Sequence, residues 1–377
     1  MSGIYIHIPF CKQACHYCDF HFSTNLTRQQ EVVDALIREL SLRKDEFRGV
    51  NVESIYFGGG TPSLLTPQQV QLILEHIGKN FQMSGNPEIT LEANPDDLDK
   101  QKIYDLSTLG INRLSIGVQS FFEADLRLMN RSHNVQQAIE CLDLARALFD
   151  NISIDLIYGI PGRSLRDWKS NIVTIARWEL PHISSYALTV EPKTALAHQI
   201  KMGTVSNIDE AAAHRQFEYM VQTLVADGFE HYEISNFGKP GYYSKNNTAY
   251  WLGKTYMGIG PSAHSYNGKE RSWNIRNNKK YLDAIQESTL PSTVEKLSEV
   301  DRYNEKIMTG LRTQWGVDLH TLTEEFGKRY MEYALEQAKP HIKRGVLSLE
   351  GQYLKSTAKG KFLIDGIASE LFMVNLG

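Results

Sequence analysis

The sequence has few cysteines, no long apolar run and no excess of basic residues, and each shortage excludes a class of protein. Only 4 of the 377 residues are cysteine, too few for a disulfide framework in a chain of this length. No apolar run approaches the length of a membrane span, and the start MSGIYIHIPF lacks the basic region of a secretory signal peptide. The net charge of −4 is a poor footprint for nucleic acid. We therefore expect a cytoplasmic protein with reduced thiols that binds no nucleic acid and no membrane.

The N-terminal part alternates short β-rich runs with segments of helical period. The β-rich runs are IYIHIPF (4–10), SIYFGGG (54–60), EITLEAN (88–94), RLSIGVQS (113–120), ISIDLIYG (152–159) and ISSYALTV (183–190). Helix starts stand between them, because Thr66 precedes Pro67 and Ser164 lies three residues before Asp167. Strands joined by crossover helices predict an α/β fold whose parallel sheet closes wholly or partly into a barrel, with its chemistry at the C-terminal strand ends.

After residue 190 the rhythm changes, and a smaller C-terminal domain is predicted. A long helix over 208–228 leads into an irregular, aromatic-rich stretch that ends near 290, and three helical segments and a two-stranded wing follow. We predict a barrel domain over 1–235, a connecting segment over 236–290 and a helical, winged-helix-like domain over 291–377. Near-neutral charge favours a packing or lid role for that last domain over DNA binding.

Three of the cysteines crowd into the segment FCKQACHYCDF, at Cys11, Cys15 and Cys18. A closed tetrahedral zinc site wants four protein ligands, so His16 or His21 would have to complete it. An iron–sulfur cube held by three thiolates keeps one iron open, and an open coordination position marks a catalytic metal site. The spacing on a loop just after the first strand favours the cube, and a zinc loop is the alternative.

Polar or glycine-rich groups stand at the ends of the predicted strands. The run FGGGTPS ends the second strand; taken alone it indicates a tight turn, although glycines also let backbone groups approach a ligand. Glu92 ends an apolar run, where a carboxylate is rare unless paired or bound. Gln119, Arg131 and Asp155 follow on later strands. Four such groups in succession favour a ligand site over an ordinary ion pair between Asp155 and Arg131.

Cys-x3-Cys-x2-Cys after the first strand of a βα barrel resembles the radical S-adenosylmethionine (SAM) superfamily. The longer string YIHIPFCKQACHYCDF is similar to one branch, the oxygen-independent coproporphyrinogen III oxidases and their relatives the HemW heme chaperones. The resemblance covers nearly the whole chain and implies a partial (β/α)6 barrel with a small winged-helix-like C-terminal domain. It also implies a 4Fe-4S cluster on the three cysteines, whose open iron takes the amino and carboxylate groups of SAM. An electron from the cluster then breaks the sulfonium C–S bond, giving methionine and a 5′-deoxyadenosyl radical.

The same resemblance assigns contacts to SAM residue by residue. The residues that match SAM-binding positions are Tyr5, Tyr17, Gly59, Gly60, Thr61, Glu92, Gln119, Arg131, Asp155 and Ala187. Among these, Arg131 would face the SAM carboxylate. Cys141 lies within an apolar helical segment, and we interpret it as a buried, unreactive thiol.

Two departures separate this chain from its apparent relatives. Phe20 stands where the oxidases have a further cysteine, as it does in the HemW branch. That branch carries a heme-linked motif His-Asn-x-x-Tyr-Trp, whereas this chain has Asn246 at the histidine position of KNNTAYW. An amide is a feeble iron ligand beside imidazole. The predicted heme-contacting residues are therefore Asn247, Tyr250, Trp251 and His264. His264 is the nearest downstream candidate for the axial ligand, His231 and Tyr250 are others, and a hydrogen-bonded loop histidine is the alternative interpretation of His264.

The resemblance implies a heme chaperone that holds the cluster, SAM and heme, and passes heme to an unidentified acceptor protein. The alternative is a radical SAM enzyme acting on a tetrapyrrole, for example by decarboxylating coproporphyrinogen III; a zinc-stabilised βα protein is a third reading. Whether the chain catalyses a reaction stays open at this point. A flavodoxin- or ferredoxin-type reductant and a monomer or homodimer are further expectations from the resemblance.

Overall fold

The computed structural model describes residues 2–374, which contain a twelve-stranded sheet. Its central strands are parallel and follow the chain order, and they are β1 (Ser2–Ile8), β2 (Val52–Gly59), β3 (Met83–Ala93), β4 (Arg113–Gln119), β5 (Ile152–Tyr158) and β6 (His182–Ala187). The crossover helices are α1 (Gln29–Arg43), α2 (Pro67–Asn80), α3 (Lys100–Thr108), α4 (Glu123–Leu128), α5 (Val135–Arg146) and α6 (Leu165–Ile175). This order confirms the predicted partial (β/α)6 barrel.

The local sequence explains why these elements form. In β1 and β5 every residue is buried except one, Tyr5 and Asp155 respectively, as expected for strands covered on both faces. The helix starts predicted at Thr66 and Ser164 are confirmed, and both are capping boxes, each of which satisfies two N–H donors of the first turn. Short 3-10 turns occupy Lys44–Phe47, Pro62–Leu64, Pro95–Asp97 and Ala176–Trp178.

Further strands extend the sheet at both edges. Beside β1 lie β9 (Thr255–Ile259), β10 (His264–Tyr266), β11 (Glu270–Asn274) and β12 (Ser292–Lys296), and beside β6 lie β7 (Glu230–Glu233) and β8 (Asn236–Gly238). The stretch expected to be irregular up to residue 290 is therefore largely regular, and the sheet continues across residue 235. Strands of three to five residues are too short to show a period, and their aromatic residues are good strand formers.

Helix α9 closes one end of the barrel. The helices between β6 and the C-terminal unit are α7 (Ala195–Lys201), α8 (Glu210–Ala226), α9 (Lys245–Trp251) and α10 (Asn278–Gln286). The backbone N–H of Lys245 donates to Glu88 Oε1 at 2.9 Å, and Glu88 pairs with the third residue of β2. Helix α9 thus begins at the N-terminal ends of the strands, opposite the strand tips.

The C-terminal unit has a hydrophobic core of its own. Its elements are α11 (Glu299–Leu311), β13 (Val317–Asp318), α12 (Leu319–Phe326), α13 (Lys328–Lys343), β14 (Leu347–Glu350), β15 (Tyr353–Ser356), α14 (Ala358–Lys361) and α15 (Ile364–Glu370). The three predicted helices and the wing are present. The wing has a third strand, because the two-residue β13 pairs with β15, and a strand of that length leaves no pattern in the sequence.

This C-terminal unit packs against the edge of the sheet formed by β7. Gln314 N–H donates to the Tyr232 carbonyl at 3.0 Å, and Lys361 Nζ donates to the His231 carbonyl at 3.0 Å. The ring of Phe362 stacks on His214 of α8, with centroids 4.5 Å apart. Residues of α14 and α15 are thereby brought to the C-terminal end of the barrel. Among the helices within residues 2–374, we find none with the length and apolar character needed to cross a membrane.

Candidate functional site

A cavity of about 770 Å³ opens at the C-terminal ends of the barrel strands. Its volume is that of a site for a drug-sized ligand. Most of the residues predicted from the sequence line it together, and they are Cys11, Cys15, Tyr17, Cys18, Gly59, Gly60, Thr61, Glu92, Gln119, Arg131, Asp155 and Ala187. Residues that lie up to 176 positions apart in the chain, from Cys11 to Ala187, therefore line one cavity.

Backbone hydrogen bonds hold the cysteine loop in place. Cys11 N–H donates to the Ser23 carbonyl at 3.1 Å, and Thr61 N–H donates to the Phe10 carbonyl at 2.7 Å. The Thr61 hydroxyl also lies 3.5 Å from Cys11 Sγ. Burial raises the pKa of the Cys11 thiol to about 11, so this sulfur stays protonated unless a metal displaces the proton.

The two histidines that could complete a zinc site point away from the cysteines. His16 Nδ1 lies 2.8 Å from the Leu128 carbonyl, and His21 Nε2 lies 2.6 Å from Asn278 Oδ1. Within the part of the chain that the structure describes, no group of three His, Cys, Asp or Glu side chains is arranged to hold a single metal ion. The three thiols on one wall suit a cluster better, because each thiolate then binds a different iron atom.

Arg131 joins the cysteine loop to the strand tips. Its Nη2 donates to Asn94 Oδ1 at 2.6 Å and to the Gly117 carbonyl at 3.0 Å. Its Nη1 lies 3.4 Å from both Cys15 Sγ and the Tyr17 hydroxyl. Burial lowers and the neighbouring Tyr17 and Cys15 raise the pKa of this guanidinium, with a net rise. The side chain is thus a fixed positive charge beside the cysteines, and its hydrogen bonds go to partners other than Asp155.

Glu92 and Asp155 are carboxyl groups held in the cavity wall by hydroxyl groups. Tyr56 donates to Glu92 Oε1 at 2.7 Å, and Ser115 donates to Asp155 Oδ1 at 3.2 Å. Burial raises the pKa of Glu92 to about 7 and that of Asp155 to about 6, although both hydrogen bonds oppose the rise. Two carboxyl groups that change charge near neutral pH therefore face the cavity.

The glycine loop at the end of β2 packs closely against the end of β1 and the residues that follow it. Gly60 N–H donates to the Ile8 carbonyl at 2.8 Å, and a Cβ at Gly60 would lie 2.5 Å from the Phe10 carbonyl oxygen. Gly59 has φ of +105°, and a Cβ there would lie 2.6 Å from the His7 ring. Only glycine permits this approach without a shift of the backbone or the ring.

The remaining predicted residues lie outside the cavity. Tyr5 stacks on Tyr56 with centroids 6.1 Å apart, and its hydroxyl lies 3.3 Å from His7 Nδ1. The predicted heme contacts on α9 are Asn247, Tyr250 and Trp251, while His264 is exposed in β10. Trp251 is linked to the cavity through Arg312, a lining residue whose guanidinium carbon lies 5.4 Å from the tryptophan ring centroid.

Several residues that line the cavity were not predicted from the sequence. From the barrel these include Asn94 and Ser115, and from the C-terminal unit Arg312, Lys361, Phe362, Ile364 and Asp365. A signal for Asn94 exists, since it follows Glu92 by two positions at the end of β3 and so shares its face. The C-terminal residues carry no local signal, because only the docking of that unit brings them to the cavity.

Replacing Glu92 by glutamine should stabilise the cluster-free protein at pH 8 and leave its stability at pH 4.5 almost unchanged. Folding raises the pKa of this carboxyl from its ordinary 4.5 to about 7. Its contribution to stability is therefore full below pH 4.5 and is lost as the pH rises through 7. We expect a gain of about 3 kcal/mol in the free energy of unfolding at pH 8, measured by urea denaturation. The exposed Glu287→Gln is the control, and an equal gain at both pH values would contradict this assignment.

The chain is similar to known proteins in both sequence and fold. Residues 5–172 match the Radical SAM superfamily, and residues 297–363 match the HemN C-terminal domain. The chain is 34% identical to the heme chaperone HemW of Lactococcus lactis subsp. lactis, over 97% of this chain and 98% of that protein. It is 32% identical to the heme chaperone HemW of Bacillus subtilis over 100% of both. The structure of coproporphyrinogen III oxidase (HemN) from Escherichia coli has a TM-score of 0.85 and covers 99% of this chain and 90% of that one at 24% identity, which shows a shared fold.

Proposed function

The chain belongs to the family of HemW heme chaperones within the radical SAM superfamily, and on that premise we propose that it binds heme and delivers it to an acceptor protein. One observation carries the proposal: the cavity combines three thiols with the polar strand tips, in a chain that matches heme chaperones along its whole length. In this proposal the cavity holds a 4Fe-4S cluster and SAM. A flavodoxin- or ferredoxin-type reductant and a monomer or homodimer belong to the same proposal.

Three cysteines would hold the cluster, and they are Cys11, Cys15 and Cys18. When bound, such a cluster supplies an electron and an open coordination position. The chain's own contribution is orientation, because Arg131 sits within 3.4 Å of Cys15 Sγ and is steered there by Asn94. A guanidinium in that place attracts the carboxylate of an amino acid ligand.

The strand tips would hold the rest of SAM. The flat backbone of Gly59 and Gly60 leaves room for the methionyl end, since no Cβ stands in the way. Glu92 and Asp155 face the cavity, and the groups that donate hydrogen bonds to them are hydroxyl groups, not basic side chains. Their ionised forms would stabilise a sulfonium cation or accept hydrogen bonds from ribose hydroxyl groups. Gln119 and the backbone of Ala187 would contact the nucleoside.

Heme is the cargo in this proposal, and α9 would contribute to its binding. Asn246 is 5% exposed, and its amide oxygen faces Gly3 of β1, so this side chain is packed inside the protein and is poorly placed as an iron ligand. His264 is exposed, and its ring stacks near Trp273 with centroids 6.0 Å apart. Burial raises the pKa of the Tyr250 phenol, which disfavours the phenolate that iron would need. His264 is accordingly the axial ligand that we propose.

Titration of the cluster-loaded, oxygen-protected protein with heme should give a saturable shift of the Soret band. We expect His264→Ala to weaken heme binding about 10-fold and to alter the position of the band, because an iron–imidazole bond is lost. His320→Ala, at an exposed position of α12, is the matched control. In a parallel assay, coproporphyrinogen III with SAM and reductant should remain unchanged. Formation of harderoporphyrinogen or protoporphyrinogen would replace the chaperone proposal with the decarboxylase alternative.

A further inference from the structure

The C-terminal unit contributes part of the cavity wall, which we call the C-terminal rim. It consists of Arg312, Lys361, Phe362, Ile364 and Asp365. These residues come from three separate segments, namely the end of α11, the end of α14 and the start of α15. The rim therefore exists only when the C-terminal unit is docked on the barrel, and it adds both cationic and apolar groups to the cavity.

Lys361 is a cation with unused hydrogen-bonding capacity. Its ammonium group has three donors, and one of them is occupied by the His231 carbonyl at 3.0 Å. Within residues 2–374 this amine forms no ion pair at contact distance, although Glu233 lies near enough to oppose the fall in its pKa. Burial lowers that pKa to about 8, so the amine is still mostly protonated at neutral pH. An anion in the cavity would find a charged, partly desolvated donor here.

Of the other two cations of the cavity, Arg312 is ion-paired with Asp365, and Arg131 is held by hydrogen bonds and is assigned to the SAM carboxylate in the proposed function. Arg312 Nε and Nη2 donate to the two carboxylate oxygens of Asp365, each at 2.7 Å. Arg131 lies between Cys15 and Asn94 at the deep end of the cavity. Lys361 is therefore the cation of the cavity wall that is best placed to bind an external anion.

Apolar groups surround Lys361. Phe362 packs on Phe217, another lining residue, with ring centroids 5.4 Å apart, and Ile234 and Ile364 line the cavity nearby. On the cysteine loop, Phe20 lines the same cavity and has 70% of its surface exposed. A large exposed aromatic side chain at a cavity mouth gains most from a flat apolar ligand. The wall thus places aromatic surface in the same cavity as the ammonium group of Lys361.

We propose that Lys361 binds a carboxylate side chain of the tetrapyrrole cargo, whose ring lies in the mouth of the cavity between Phe20 and Phe362. This inference rests on the proposed function and adds a contact to the carboxylate edge of the cargo, distinct from the iron contact proposed for His264. A heme-type ring matches the wall because its faces are apolar while its carboxylates stand along one edge.

The test compares heme with heme dimethyl ester, in which both carboxylates are masked. Each is titrated into the cluster-loaded full chain, into Lys361→Gln, and into Lys359→Gln as the control. Lys359 is exposed on the same short helix and donates to the Arg344 carbonyl. We expect Lys361→Gln to weaken heme binding by about 10- to 100-fold, the value of a charge-assisted hydrogen bond, and to leave ester binding unchanged. Lys361→Arg should bind both ligands as the parent does.

Three results of these titrations would overturn the role of Lys361. If the parent binds heme and ester, and Lys361→Gln binds heme as tightly as the parent, Lys361 does not contact a carboxylate and this inference fails while the proposed function stands. Equal loss of both ligands in Lys361→Gln also overturns it, since the loss would then not depend on the carboxylates. If the parent binds neither ligand, the proposed function fails and this inference fails with it.

Discussion

Replacing Cys15 by serine should abolish the iron–sulfur absorbance of the anaerobically reconstituted protein and lower its iron content from about four atoms per chain to background. The expected effect is this large because the proposed cluster would have three protein thiolates, and a serine hydroxyl does not replace a thiolate. The Arg131 guanidinium, 3.4 Å from Cys15 Sγ, also loses a partner. Iron analysis and the visible spectrum measure the result directly.

Cys141→Ser is the matched control, because Cys141 is the remaining cysteine of the chain. It is 2% exposed on α5, and burial raises the pKa of its thiol to about 12. A buried hydroxyl without a partner should lower the free energy of unfolding by about 1–3 kcal/mol and leave the iron content intact. Loss of iron in a folded Cys141→Ser protein would show that the ligand set has been assigned to the wrong cysteines.

The second large effect is expected from Gly60→Ala, which should weaken SAM binding by about 100-fold. The new Cβ would lie 2.5 Å from the Phe10 carbonyl oxygen, a backbone atom that cannot rotate aside. The glycine loop must then move away from β1, and the SAM position moves with it. Equilibrium dialysis of SAM against the cluster-loaded variant measures the change.

Gly78→Ala provides the comparison for this substitution. Gly78 is exposed on α2, and a Cβ there would meet nothing within 4 Å. An alanine in a helix should stabilise the protein by about 0.5–1 kcal/mol and leave SAM binding unchanged. Parental SAM affinity in Gly60→Ala would mean that the loop does not contact the ligand. Loss of iron in that variant would instead show that the loop supports the cysteines.

The central fold could be predicted because its pattern is local. The strands β1 to β6 stand in β-rich runs separated by helical segments, and two of those helices have a recognisable start, at Thr66 with Pro67 and at Ser164 with Asp167. The edge strands could not be predicted in the same way. The strands β10 and β8 have three residues each, too few to show a period, and β8 pairs with β6 from a distant part of the chain, so that pairing depends on the assembled sheet.

The residues of the candidate site likewise divide into those marked by local motifs and those placed by tertiary packing. Cys11, Thr61 and Glu92 stand in motifs that mark strand ends, and parallel strands bring such ends to one edge. Tyr5 lies in mid-strand, three residues before the end of β1, and its side chain packs on Tyr56 rather than facing the cavity. Lys361 and Phe362 could not be anticipated, because their place depends on how the C-terminal unit docks against β7.

The two carboxyl groups at the strand tips keep the net charge of the cavity nearly constant when a cation binds. Near neutral pH part of the empty population carries a proton on Glu92, whose pKa is about 7, and a smaller part carries one on Asp155, whose pKa is about 6. A cation that settles against these groups favours their anionic forms and expels those protons to the solvent. Protons and the cationic ligand therefore compete for the same two carboxylates, so binding of one lowers the affinity for the other.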